Sequence, residues 1–127
     1  MTSLSLEVFT KALADQTRLR ILSLLVQYPE LCVCELTEAL GLAQPKISRH
    51  LAILREASVL QDRKLGLWVH YQLHPQLSPW AQAMLKQLQL ASQNEAIYQK
   101  DSRRLQAITR IKMLCSESSM SLTGQGS

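Results

Sequence analysis

The chain of 127 residues carries 14 Lys and Arg against 10 Asp and Glu, a net charge of +4, and 46% of its residues are hydrophobic. One domain with a packed core is expected, and the apolar share excludes wholesale disorder. Three cysteines, Cys32, Cys34 and Cys115, are too few and too oddly counted for a secreted disulfide scaffold, so reduced thiols are expected. The uncharged stretch Leu65–Leu85 is interrupted by His70, His74, Pro75, Pro79 and several Gln, which excludes a membrane-spanning helix there. No basic leader precedes an apolar block at the start of the chain, so a cytoplasmic protein without a membrane partner is expected. The basic excess hints at a polyanionic partner.

In chain order, Leu6, Phe9 and Leu13 keep helical spacing over about 5–13. Asp15 is a good N-cap for a second helix, its carboxylate able to accept from first-turn amides. Leu19, Leu22 and Val26 form that helix's stripe, widened by Ile21 and Leu25, and Pro29 ends it. A short helix is predicted over about 31–40, with Gly41 as its left-handed terminator. Pro45 suits the first turn of the next helix, whose core stripe is Ile47, Leu51 and Leu54. Arg49 lies about 200° round the wheel from Ile47 and faces away from the core.

The period then changes to two. Val59–Lys64 reads as one strand, and Leu67, Val69, Tyr71 and Leu73 alternate along a second, with Gly66 in the turn. Pro79 opens a long helical region with one stripe of Trp80, Met84, Leu88 and Ala91 and another of Ile97, Leu105, Ile108 and Ile111. The polar run Ser92-Gln-Asn-Glu95 either breaks this helix or is carried through it. The expected organisation is a DNA-binding domain over 1–92, a helical extension over 93–115, and a Ser/Gly-rich disordered tail over 116–127.

Two short helices joined at Gly41 and followed by a hairpin make a winged helix-turn-helix. The fold class is therefore mainly α with a β-hairpin, in the order α-α-α-α-β-β-α, and dimeric. From Gln44 to Lys64 five basic residues (Lys46, Arg49, Arg55, Arg63, Lys64) face two acidic ones (Glu56, Asp62). The start of a recognition helix reads base edges, which selects Gln44, Lys46, Ser48 and Arg49: Gln suits adenine, Arg or Lys suits guanine. Ser48 and His50 are better suited to phosphate, and Arg63 and Lys64 at the hairpin tip can reach phosphate or the minor groove. The plainer reading, a solvated basic helix, does not account for the turn, hairpin and charges agreeing. One such module covers a half-site, so a homodimer on a palindrome is expected. The first helix and the Trp80–Met113 region are the natural dimer surface.

Cys32-Val33-Cys34 opens the helix before the turn. Buried cysteines can be simple small hydrophobes. Two soft thiolates nevertheless suit As(III), Sb(III), Cd(II), Pb(II) or Cu(I) rather than Mg or Ca. On an ideal helix, residues two apart point about 200° from each other. An ion shared by both would have to distort the first turn, next to the reading unit, which is a mechanism for a switch.

The stretch LCVCELTEALGLAQPKISRHLAILREASVLQDRKLGLWVHYQL, with ALADQTRLRILSLL upstream, resembles the arsenical-resistance repressors of the ArsR/SmtB family over about residues 5–92. The resemblance implies a homodimer that represses its own operon and leaves DNA when a metal or metalloid binds. It also implies that Cys32 and Cys34 are the inducer thiolates, that the Gln44–Arg55 helix reads the operator, and that no cofactor is required. Members often carry CVCxxC; here the third position is Thr37, a poor ligand for a soft ion. The third ligand is then a small-molecule thiol, water or Cys115, although Cys115 beside a tail reads more simply as a non-ligand.

Cadmium and lead sensors of the family recruit a further cysteine from an N-terminal extension, and no cysteine precedes Cys32. The family's zinc and nickel sensors use His and carboxylates on the last helix, and residues 80–118 hold no His. As(III) or Sb(III) is therefore the expected inducer, with Cd/Pb response or thiol redox sensing through Cys32 and Cys34 as alternatives. His70 and His74 at the strand end form a candidate zinc pair, but solvated or core-packed histidines explain both. A catalytic thiol protein lacks support, since the chain shows no CxxC motif, Gly-rich phosphate loop or Ser/His/Asp set. A metal-storage protein would show no salt-dependent DNA binding.

Overall fold

The computed structural model describes residues 4–123, with side chains over 4–109. The order is α1 (Leu6–Leu13), α2 (Gln16–Gln27), β1 (Leu31–Cys32), α3 (Val33–Leu40), α4 (Gln44–Glu56), β2 (Leu60–Leu65), β3 (Trp68–Leu73), α5 (Pro79–Ser92) and α6 (Ala96–Thr123). This is the winged helix-turn-helix expected, mainly helical with a small antiparallel sheet.

Each boundary has a local cause. Ser5 caps α1 by accepting from the Val8 amide at 3.2 Å. Tyr28 ends α2 in an extended conformation (φ −120°, ψ 134°), the state that a following Pro29 favours by steric exclusion of the helical one. Gly41 closes α3 at φ 66°, where a side chain would be strained. Pro45 lies in the first turn of α4, where a missing amide costs no hydrogen bond.

Helix α2 is the centre of the core. Ile21, Leu22, Leu24 and Leu25 are all buried, because other helices enclose it on most sides. Ile47, Leu51 and Leu54 of α4, Leu36 and Leu40 of α3, and Leu85 of α5 complete the core cluster. Phe9 of α1 meets Trp80 of α5 edge-to-face, with centroids 5.2 Å apart.

The structure departs from several of the sequence expectations. Leu31 and Cys32 are not helical; they form a short strand opposite Tyr71 and His70, so the sheet has three strands in the order β1-β3-β2. Asp15 occupies the N-cap position of α2 but makes no capping bond with its side chain. Its carboxylate lies toward Arg18 and His50 instead. Helix α5 buries Ala81, Leu85, Gln89 and Ser92, one residue on from the stripe expected. Small Ala81 and Ser92 permit close approach, and Ser92 Oγ meets Ser23 Oγ of α2 at 2.8 Å.

The helical region does break, at the turn over 93–95. Helix α6 then runs to Thr123, where a disordered tail is expected from 116; nothing in that serine-rich run before Gly124 stops a helix. Residues 124–127 and the side chain of Cys115 lie outside those described.

A buried ion pair ties α6 to α2, and sequence reasoning missed it. Arg20 donates from Nε and Nη2 to the Asp101 carboxylate, both at 2.8 Å, and from Nη2 to the Leu40 carbonyl at 2.8 Å. The hydrogen bond to Asp101 outweighs desolvation and raises the Arg20 pKa above its ordinary value. A signal was present: Asp101 sits four residues from both Ile97 and Leu105, on their face of the helix.

Among the described residues, no helix is long and apolar enough to cross a membrane.

Candidate nucleic-acid interface and thiol pair

Helix α4 hides Ile47, Leu51 and Leu54 and turns the opposite face outward. Gln44, Lys46 and Arg49 are exposed along its first turns, and Ser48 is half-buried between them. Gln44 Nε2 reaches Ser48 Oγ at 3.4 Å, one turn along. The expected base-reading residues thus share an accessible region at the N-terminal end of a rigid rod.

His50 is different. It is buried, and its ring faces α2 rather than solvent, whereas a phosphate contact is expected of it. Helical spacing puts His50 beside Leu51 and Leu54, nearer the core face than Arg49. Arg18 Nη1 lies 3.1 Å from His50 Nδ1. Guanidinium can only donate, so Nδ1 accepts and the neutral ring carries its proton on Nε2. Asp15 Oδ2, at 3.7 Å from the same nitrogen and 3.9 Å from Arg18 Nη1, is close enough for ion pairing but makes no hydrogen bond. Desolvation pulls the His50 pKa below its ordinary value against the attraction of Asp15, with Arg18, Arg49 and Lys46 helping to lower it.

Arg55 ends α4 in a half-exposed contact with Asp62 of β2 at 3.4 Å. In the wing, the turn itself is Gly66-Leu67. Arg63 stands back from that tip, on the strand opposite His70. Its guanidinium forks onto Glu30 at 2.9 and 3.1 Å, so its engaged position differs from the tip placement expected. Glu30 is held below the usual carboxylate range by that bond. Lys64, on the alternate face, is exposed nearer the tip. His70 approaches Glu30 at 3.9 Å, while His74 Nδ1 accepts from the Gln76 amide; the two rings have different partners.

The thiols sit at the N-terminus of α3. Cys32 is buried and is the N-cap, with extended backbone (φ −86°, ψ 163°); Cys34 is exposed in the first turn. The 200° separation of an ideal helix therefore does not apply, since Cys32 precedes the helix. The Cα atoms are 5.4 Å apart, and the two sulfurs are joined as a disulfide, whereas reduced thiols are expected from the cysteine count. Cys32 Sγ accepts from the Glu35 amide at 3.4 Å, and Glu35 Oε1 accepts from the Cys32 amide at 2.8 Å. Sulfur thus takes the place of the usual oxygen in a capping box. The unpaired amides of a helix start also favour anionic sulfur. Among the described residues, no group of three or more Cys, His, Asp or Glu could hold a metal ion.

Thr37 is one turn beyond Cys34, and its hydroxyl donates to the Val33 carbonyl at 2.7 Å. Between α3, the start of α4 and the wing lies an open cleft of about 560 Å³, lined by Cys34, Thr37, Glu38, Gln44, Leu67 and Trp68 among others. Sequence reasoning placed Cys34, Gln44 and Trp68 separately; the wing folding over α3 brings them to one cleft.

Residues 15–61 match the family described as "Bacterial regulatory protein, arsR family". The chain is 62% identical over 76 residues to the arsenic resistance transcriptional regulator ArsR1 of Pseudomonas putida, a match covering 60% of this chain and 59% of that protein. It is 61% identical over 71 residues to the arsenical resistance operon repressor of Escherichia coli, covering 56% and 61%. These matches thus span about three fifths of the length of either relative. The structure is similar to that of HlyU from Vibrio cholerae, with TM-score 0.61 and 38% identity over 67% of this chain and 88% of that one. It is also similar to the homodimeric winged helix-turn-helix DNA-binding domain of Mb0332 from Mycobacterium bovis, with TM-score 0.58 and 25% identity over 68% and 77%. The chain belongs to the arsR family of bacterial regulatory proteins.

Proposed function

We propose that this protein is a metalloid-responsive transcriptional repressor that binds operator DNA as a homodimer and is released when As(III) or Sb(III) binds Cys32 and Cys34. The observation that carries the reading is the convergence of both sulfurs at the start of α3, the helix that leads through Gly41 into α4. Likeness to arsenic resistance regulators supports it. Arsenic held by Cys32 occupies the sulfur that caps α3. Loss of an N-cap costs about 0.5–2 kcal/mol. The inducer thereby favours a state in which α3 is loosened and the α3–α4 pair presents α4 poorly. A coupling of about 1–3 kcal/mol lowers DNA affinity roughly 5- to 150-fold.

Gln44, Lys46, Ser48 and Arg49 read the operator, with Arg55 and Lys64 on the backbone and Arg63 available once Glu30 is exchanged for phosphate. Homodimerisation uses α1 and α5, where Leu6, Val8, Trp80, Met84 and Leu90 remain exposed. The exposed apolar side chains of these two adjoining helices support that reading.

The decisive experiment is a mobility shift on the upstream region of the protein's own gene, under monothiol reductant, with arsenite, antimonite, cadmium and zinc added in turn. The Cys32→Ser/Cys34→Ser double variant should bind the operator as the wild type does and stay bound at arsenite concentrations that release the wild type. Release of the double variant at unchanged arsenite overturns the reading.

The joined sulfurs favour a second reading, a thiol redox regulator in which oxidation to the Cys32–Cys34 disulfide changes DNA affinity. Release by arsenite without any oxidant separates the two; release by oxidant alone supports the second.

A further inference from the structure

We infer that the inducer site is built for trivalent arsenic bearing one organic substituent, with the two sulfurs holding arsenic and the adjoining cleft holding the substituent. The inference rests on the thiolate reading above and deepens it. Arsenic(III) forms three bonds. Among the described residues only Cys32 and Cys34 supply soft ligands at this point, and the third position of the expected set is Thr37, whose hydroxyl is engaged with Val33. An arsenical already carrying one carbon substituent needs two further bonds, which matches the pair.

The direction of approach is fixed by burial. Cys32 is 3% exposed, whereas Cys34 is exposed and lines the 560 Å³ cleft. A substituent on arsenic held by both sulfurs finds room only on the Cys34 side, since Cys32 is buried. There it meets the wing, where Leu67 is 93% exposed and Trp68 60% exposed. Two large apolar side chains left in water in the cleft that Cys34 lines gain from covering an apolar group. A hydroxyl on arsenic, as inorganic arsenite would present, gains nothing from them. Gln44 of α4 lines the same cleft, so a bulky occupant presses on the wing and the recognition helix together.

The chemistry balances without a change in arsenic oxidation state. A monothiol such as glutathione first reduces the disulfide: two equivalents yield the two protein thiols and leave as their own disulfide. The arsonous acid R–As(OH)2 then forms two As–S bonds as two As–O bonds break, and the two thiol protons leave in two molecules of water. The As–C bond is untouched.

The test is a calorimetric titration of the full chain, reduced with glutathione and desalted without oxygen. Phenylarsonous acid, methylarsonous acid and arsenite are the titrants. Phenyl and methyl forms make the same two bonds, so any difference between them reports the cleft. Burial of most of a ring at about 25 cal/mol per Å² favours phenyl by about tenfold or more. Trp68→Ala and Leu67→Ala, both at exposed wing positions, should each shrink that preference several-fold while methylarsonous acid binds as before. Equal affinity for phenyl and methyl, or a preference unchanged in both variants, overturns the inference but leaves the thiolate reading standing. Failure of all three arsenicals to bind the reduced chain overturns both. Binding of phenylarsonous acid that requires Cys115, tested with Cys115→Ser, also overturns the two-sulfur site.

Discussion

Arg49 and His50 are neighbours on one helix and face opposite environments. Arg49 is exposed, and a bidentate contact from it to guanine is worth about 1–3 kcal/mol. Arg49→Ala should therefore weaken operator binding by that amount in a mobility shift and relax discrimination at one base pair. An equal loss on every sequence would reassign it to phosphate.

His50 makes a prediction about pH. Its folded pKa lies below the ordinary 6.5, chiefly because burial disfavours the imidazolium. Between the two values the unfolded chain binds more protons than the folded one, so stability rises with pH. The contribution is complete above about 6.5 and is lost as pH falls below it toward the folded value. His50→Gln should flatten the decline in urea midpoint below pH 6.5. A slope identical to that of the wild type would show that the ring does not titrate as its packing implies. Periodicity marked His50 only as adjacent to the core stripe; the Arg18 contact that turns it inward comes from a residue 32 positions away.

At the scale of elements, α3 depends on an unusual cap. Cys32→Ser keeps a side-chain acceptor at the N-cap, whereas Cys32→Ala removes it. Against the reduced wild type, the alanine variant should lose about 0.5–2 kcal/mol in denaturant unfolding under reductant, and the serine variant clearly less. Equal losses would mean that the sulfur's cap contributes nothing to stability. That Cys32 caps the helix rather than joining it was not legible locally. Its extended backbone is held by pairing with His70 across the sheet, and a two-residue strand has no period of its own to read. By contrast α4 and the hairpin were legible. Ile47, Leu51 and Leu54 fix one face, Pro45 and Gly41 punctuate the ends, and Gly66 marks the turn. Helix α5 shows the opposite case: apolar residues lie on more than one face, and the choice fell to small side chains that fit against α2.

Across the whole molecule, the Arg20–Asp101 pair joins segments 81 residues apart and also holds the Leu40 carbonyl at the end of α3. It thereby links α6 to the helix that carries the thiols. Asp101→Ala strands a buried guanidinium and should destabilise the fold by about 3–5 kcal/mol in urea unfolding. Replacing both partners, Arg20→Met with Asp101→Leu, should cost far less, because no charge is left unpaired. If the single variant proves as mild as the double one, the pair is solvated rather than buried.

By itself the sequence determined the periods, and with them the winged helix-turn-helix order, the outward basic face of α4 and the presence of two close thiols. Those features depend on neighbours within a turn or a hairpin, where spacing and backbone sterics decide. Tertiary structure alone decided which way His50 turned, that Arg63 is taken by Glu30, and that Asp101 neutralises Arg20. It also set Cys34 facing a cleft under Trp68. Each of these depends on desolvation and on a partner brought from a distant segment, and neither is written in local periodicity.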